Sequence, residues 1–221
     1  MTSLQAVLFD LDGTLADTAP DLAGAVNRLL IEHGRAPVPI EQTRRHTSSG
    51  ARGMIGASFG YDPSHADFPR LRERFLDLYA DGLCIETALF PGMEELLARI
   101  EAASLRWGIV TNKAARFTDP LVRALGLEQR AGCIVSGDTT PKTKPHPEPL
   151  LHAARALALD PRRCVYIGDD LRDIQAARAA GMLAVAARYG YLGETDPPEQ
   201  WGADMIIDAP MELWPFVQAR V

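Results

Sequence analysis

Cysteine is scarce in this 221-residue chain: Cys84, Cys133 and Cys164 are its only three. They are odd in number and far apart, and none has the spacing of a zinc site. That excludes a disulfide scaffold and a structural zinc. Reduced cysteines that pack as small apolar side chains are expected, as in a cytoplasmic protein. Long hydrophobic runs are missing as well. The first apolar stretch, Leu4 to Phe9, has no basic residue ahead of it and stops at Asp10. It is too short for a secretory leader or a membrane span. Positive charge is in deficit: 23 Lys and Arg stand against 29 Asp and Glu, for a formal net charge of -6. With no basic stripe, neither nucleic acid nor an anionic membrane is an expected partner. Repeats and low-complexity tracts are absent too, and a monomer or homodimer is expected.

What the chain does have is an ordinary globular composition, 47% hydrophobic, enough for one full core and a small extra module. Short apolar runs recur: Ala6 to Phe9, Trp107 to Val110, Cys133 to Val135, Cys164 to Ile167, Leu183 to Ala186 and Met205 to Ile207. Continuous apolarity of this length fits parallel strands buried on both faces. Helical periodicity fills Met93 to Ala103, Phe117 to Leu125, Pro149 to Leu157 and Ile174 to Ala180, with Gly126 and Gly181 where helix ends belong. Strands alternating with helices predict an α/β fold with a doubly wound, Rossmann-like parallel sheet.

One stretch breaks the alternation. Between the first strand and Pro91-Gly92 lie about 75 residues without a convincing strand, too many for a simple crossover. Pro20 to His33, Ile40 to His46, Arg52 to Phe59 and Asp67 to Leu83 read as helices. The expected organisation is a core of residues 1–15 and 89–221 with a helical cap inserted as residues 16–88. Tyr189 to Trp201, rich in Gly and Pro, reads as a surface loop.

Ligands of open parallel sheets bind beyond the carboxyl ends of the strands, so the residues that follow each strand matter most. After the first come Asp10, Asp12, Gly13 and Thr14; after the second, Thr111, Asn112 and Lys113. The third leads to Lys144, and the fourth to Asp169, Asp170 and Asp173. A turn explains Asp and Gly but not two carboxylates flanking Leu11 at the end of a buried strand. Hard oxygen ligands from Asp10 and Asp169, with no His or Cys beside them, suit Mg2+ and not zinc.

These four segments together resemble the haloacid dehalogenase superfamily, in its phosphoglycolate phosphatase-like branch with a helical cap. The likeness covers essentially the whole chain. It implies a phosphoric monoester hydrolase acting on a small-molecule phosphate ester. Asp10 is the implied nucleophile, forming an aspartyl phosphate. Asp12 is the implied acid and base, and its presence favours ester chemistry over dehalogenation. Mg2+ would be held by Asp10, the Asp12 carbonyl and Asp169. Thr111 and the Asn112 amide would bind phosphoryl oxygens, and Lys144 would balance charge. Asp170 and Asp173 would support the metal's waters or orient Lys144.

For the rest of the substrate, Arg52 in the cap segment Ser48 to Gly53 offers a planar fork for a carboxylate. Gly50 and Gly53 would permit close backbone approach there. Lys113 and Arg116 are further candidates, and His146 reads as structural. A carboxylate-bearing ester fits this set. 2-Phosphoglycolate is one, and N-acetylmuramic acid 6-phosphate of cell-wall recycling is the other, since Gly50 to Met54, Val110 to Phe117 and Arg188 to Tyr191 resemble the bacterial branch with that activity. A β-phosphoglucomutase-like mutase would share the four core motifs, but Ser48 to Phe59 lacks the mutase cap pattern. An inactive binding module would have lost Asp10 or Asp169.

Overall fold

A computed structural model of the protein describes residues 3–193 and 196–221. β1 (Ala6–Phe9) leads into a two-residue strand, β2 (Ala16–Asp17), and then into four helices: α1 (Ala19–Glu32), α2 (Ile40–Arg44), α3 (Gly50–Phe59) and α4 (Phe68–Asp81). β3 (Ala88–Leu89) brings the chain back. Alternation then runs through α5 (Met93–Ala102), β4 (Arg106–Val110), α6 (Ala115–Ala124), β5 (Cys133–Val135), α7 (Glu148–Ala156) and β6 (Cys164–Gly168). It ends with α8 (Leu171–Ala180), β7 (Leu183–Ala187), β8 (Met205–Ile207) and α9 (Leu213–Gln218).

Six strands form one sheet in the order β5-β4-β1-β6-β7-β8, each neighbouring pair parallel. Every residue of β1 is buried, which is why its sequence shows no polar alternation. Its side chains still alternate between faces. Val7 and Phe9 join a core made with α5, α6 and α9, while Ala6 and Leu8 join the one made with α7 and α8. The chain builds outward from β1 to β4 and β5, then returns to place β6 on the other side. That reversal opens a crevice at the carboxyl edge, where such sheets bind ligands. Register aligns the edge: Phe9 pairs with Ile109 on one side and Ile167 on the other. The residues just beyond, Asp10, Thr111 and Asp169, therefore emerge together.

The inserted helices have a core of their own, in which Val26, Leu29, Met54, Ile55, Phe75 and Leu78 meet. Burying each such side chain contributes about 1.5–3 kcal/mol, and Phe117 of α6 joins the same cluster, tying the insert to the rest of the chain. The two ends of the insert are stapled by a ribbon that the sequence did not disclose: β2 and β3 pair antiparallel, Ala16 with Leu89 and Asp17 with Ala88.

The surface loop expected from Tyr189 to Trp201 is corrected by the structure, apart from residues 194 and 195, which lie outside the described residues. Tyr191 and Trp201 are each only 5% exposed. Gly and Pro set the turns of this segment, but its aromatic rings are driven inward by their apolar area.

Candidate active site

Each strand end contributes by its own local chemistry. At the end of β1, the Asp10 carboxylate accepts from the Leu11 amide at 2.8 Å and pairs with Lys144 Nζ at 2.9 Å. Gly13 follows with φ +80°, and a Cβ there would lie 2.2 Å from Asp169 Oδ2. Only glycine permits that turn and that approach. Thr14 Oγ1 then donates to Asp169 Oδ1 at 3.0 Å. Asp12 points elsewhere: its Oδ1 accepts from Thr18 Oγ1 at 2.6 Å and from Lys113 Nζ at 2.7 Å.

At the end of β4, Thr111 is buried and its hydroxyl accepts from the Lys113 amide at 3.1 Å. The Asn112 side chain grips the backbone of Lys144. Its Nδ2 donates to the Lys144 carbonyl at 2.9 Å, and its Oδ1 accepts from the Lys144 amide at 3.0 Å. Asn112 thus holds the lysine's backbone with its side chain. Lys144 itself is 4% exposed. Its ammonium has three donors and meets three acceptors: Asp10 at 2.9 Å, Asp173 at 2.7 Å and the Tyr166 hydroxyl at 2.7 Å. Burial alone would lower its pKa, but Asp10 and Asp173 hold it raised.

At the end of β6, Asp170 and Asp173 form a capping box at the start of α8. Asp170 is also paired with Arg172 at 2.8 Å. Asp173 accepts from Lys144 at 2.7 Å, while Asp170 is held at the start of α8 and by Arg172. Asp169 is fully buried. It receives the Thr14 hydroxyl, the Tyr191 amide at 2.8 Å and a long contact from the Ser48 hydroxyl of the cap at 3.5 Å.

Oxygens of Asp10, Asp169 and Asp173 lie within 4.8 Å of one another. Burial pushes Asp10 up to about 7, with Lys144 pulling the other way. Burial and then the Asp10 charge push Asp169 well above the carboxylate range. Among the described residues Asp169 has neutral donors but no cation of its own, so a divalent ion with oxygen ligands fits this donor set.

A cavity of about 380 Å3 opens above these groups, lined by Asp10, Asp12, Thr111, Lys113 and Lys144 below and by cap residues above. Arg52 and Arg116 also line it, and both are exposed. Lys113, expected to face substrate, spends its charge on Asp12 and lies over the Tyr79 ring, 4.9 Å from its centroid. Gly53 proves to serve the cap itself, since a Cβ there would meet the His46 carbonyl at 2.2 Å. His146 is exposed and caps the next turn, accepting from the Glu148 amide at 3.2 Å.

Two tyrosines of the segment Arg188 to Tyr191, noted in the sequence for its resemblance, were given no role at the site there. Tyr189 donates to the Thr14 carbonyl at 2.9 Å. The Tyr191 hydroxyl accepts from the Thr18 and Ala19 amides at 2.8 and 2.9 Å and donates to Asp17 at 2.9 Å. The only available signal was two aromatics spaced by Gly190 just after a strand.

A half-buried Asp at a switch point, a second Asp on the next strand and a triply held lysine are the marks of a hydrolase of one family. A model of haloacid dehalogenase-like hydrolases matches residues 7–187, and the chain belongs to that family. Among its relatives, the N-acetylmuramic acid 6-phosphate phosphatase of Pseudomonas aeruginosa is 46% identical over 210 residues, covering 95% of this chain and 93% of that one. The phosphoglycolate phosphatase of Xanthomonas campestris is 44% identical over 210 residues, covering 95% of each. A solved structure of a predicted phosphoglycolate phosphatase from Haemophilus somnus superimposes with a TM-score of 0.87 at 27% identity, covering 99% of this chain and 100% of the other.

Proposed function

We propose that this chain is a Mg2+-dependent phosphatase of a small, carboxylate-bearing phosphate ester, working through an aspartyl phosphate on Asp10. One observation carries the reading: Asp10 and the cation-free Asp169 share a buried edge with the triply anchored Lys144. The names of the relatives support a phosphate ester as substrate, and three unpaired cysteines support a cytoplasmic setting.

Asp10, Asp169 and the carbonyl of Asp12 would hold the metal. When bound, Mg2+ supplies neutralising charge that lets a carboxylate and a phosphate dianion share the site. Lys144 anchors Asp10 from one side and offers positive charge to the transferring group. An Asp10 oxygen forms the new bond to phosphorus as the ester P–O bond breaks, and Asp12 gives its proton to the leaving oxygen. Asp12 then takes a proton from water, whose oxygen attacks phosphorus. The bond to Asp10 breaks, and inorganic phosphate leaves. Lys113 and Thr18 keep the Asp12 carboxyl aimed through both steps. The helical cap screens this chemistry from bulk water.

Phosphate release from N-acetylmuramic acid 6-phosphate and 2-phosphoglycolate tests the reading. EDTA should stop it, excess Mg2+ should restore it, and Asp10→Asn should reduce it to background. Turnover by Asp10→Asn, or indifference to EDTA, would remove the covalent or the metal part of the account. Isomerised sugar phosphate without free phosphate would make the enzyme a mutase.

A further inference from the structure

Every cation on the floor of the cavity has a carboxylate. Lys144 holds Asp10 and Asp173, Lys113 holds Asp12, and Arg172 holds Asp170. The walls differ. Arg52 from α3, Arg72 from α4 and Arg116 from the start of α6 line the same cavity, and none has a carboxylate partner among the described residues. Elsewhere the arginines divide: Arg74, Arg99, Arg123 and Arg188 pair with carboxylates, while Arg28, Arg106 and Arg178 donate to backbone carbonyls instead. Three unpaired guanidinium groups converging from three elements are a charge arrangement that awaits an anion.

A second observation comes from α4. Arg72, Phe75, Leu76 and Tyr79 all line the cavity, and their spacing of three, four and seven residues puts them on one helical face. Tyr79 is 2% exposed, and among the described residues its hydroxyl makes no hydrogen bond of ordinary geometry, with the Lys113 ammonium as its polar neighbour. Burial raises its pKa to about 12, so at neutral pH it is a protonated donor. A buried hydroxyl without a well-formed hydrogen bond is costly, and a polar group of a ligand would offset that cost. The α4 face thus carries a guanidinium at one end, a hydroxyl at the other and apolar surface between them.

We propose that this face and Arg116 form a leaving-group subsite, in which Arg72 and Arg116 bind a carboxylate remote from the phosphate and the Tyr79 hydroxyl binds a polar group between the two. The proposal rests on the phosphatase reading and narrows its substrate class to a phosphorylated sugar carrying an acid on an ether arm. The cavity, at about 380 Å3, falls in the range of pockets that enclose ligands of that size. A two-carbon ester would leave most of it to water and would bring its carboxylate close beside the phosphate.

N-Acetylglucosamine 6-phosphate is N-acetylmuramic acid 6-phosphate without the acidic arm, so the ratio of kcat/KM for the pair isolates the carboxylate. Wild type should favour the acid by tenfold or more. In Arg72→Ala/Arg116→Ala that preference should fall at least tenfold, mostly through KM, and Arg72→Lys should restore part of it. Tyr79→Phe should lower kcat/KM for both sugars more than for 4-nitrophenyl phosphate, whose turnover also reports that each variant is folded. No preference in wild type, or one that survives the double substitution, overturns the subsite while leaving the phosphatase intact. Failure of wild type to hydrolyse even the aryl ester overturns both.

Discussion

Lys144 shows how narrowly a single side chain is specified here. Two carboxylates and a phenol use all three of its protons, and a side-chain amide fixes its backbone from both directions. Lys144→Met would leave Asp10 and Asp173 buried without their cation. Breaking a buried pair in this way costs about 3–5 kcal/mol, so thermal unfolding should show a large drop in Tm together with loss of turnover. Gly13→Ala acts through space and not through charge. Its φ of +80° and the 2.2 Å approach to Asp169 predict about 1–3 kcal/mol of strain, or several degrees of Tm. Displacing Asp169 should also raise the Mg2+ concentration needed for half-maximal activity, and an unchanged requirement would mean that Asp169 had not moved. Residues such as Asp10, Asp12 and Asp169 were legible because each follows an apolar strand core, whereas Lys144 stands in a loop and was picked out by the family pattern. Tyr189 and Tyr191 were not. Their neighbours Gly190, Gly193, Pro197 and Pro198 carry the pattern of solvent-facing turns, and only the folded chain brings the Tyr191 amide onto Asp169.

Elements show the same division between pattern and packing. Long strands and helices declared themselves through apolar runs and helical period. β2 and β3 have two residues each, too few to display a period of two. What secures the return of the inserted helices is a single carboxylate near the start of α1. Asp21 accepts from the amides of Ile85, Glu86 and Thr87 and from the Thr87 hydroxyl, at 3.0, 2.9, 3.1 and 2.6 Å. An acidic residue in a first helical turn is common enough to attract no notice in sequence, so this tie was invisible there. Asp21→Ala should cost about 2 kcal/mol. Because the tie lies at the end of the insert, hydrogen exchange should quicken at residues 85–87 before it does in β1 or β6. Equal quickening everywhere would make Asp21 a contributor to global stability alone.

Across the whole molecule, the sheet and the inserted helices meet over one electrostatic fault, the crowding of Asp10 and Asp169, which should make stability depend on pH and, on the proposed reading, on metal. Asp10 has its pKa raised by burial to about 7 from an ordinary 3.8. A carboxyl raised in the folded state favours folding fully below about pH 4, and that contribution is lost as pH climbs through about 7. Asp169 is shifted in the same direction, by burial and then by Asp10. Metal-free protein should therefore lose this share of its stability between about pH 4 and pH 7, the reverse of what a salt-bridged surface carboxylate does. On the proposed reading Mg2+ would bind the ionised pair, so protons would compete with it on the acid side. At one hundred times its Kd, a ligand that binds only the folded state adds about 2.7 kcal/mol. At about 2–4 °C per kcal/mol for a chain of this size, that is about 5–10 °C of Tm. The rise in Tm on adding Mg2+ to EDTA-stripped protein should accordingly be small near pH 5 and approach that figure near pH 8. Asp169→Asn removes one of the two competing charges. It should flatten the pH dependence of the metal-free protein and abolish the response to Mg2+ at both values. A Mg2+ shift equal at pH 5 and pH 8 in wild type would mean that the ion binds away from Asp10, and the charge balance argued for the site would have to be built on other residues.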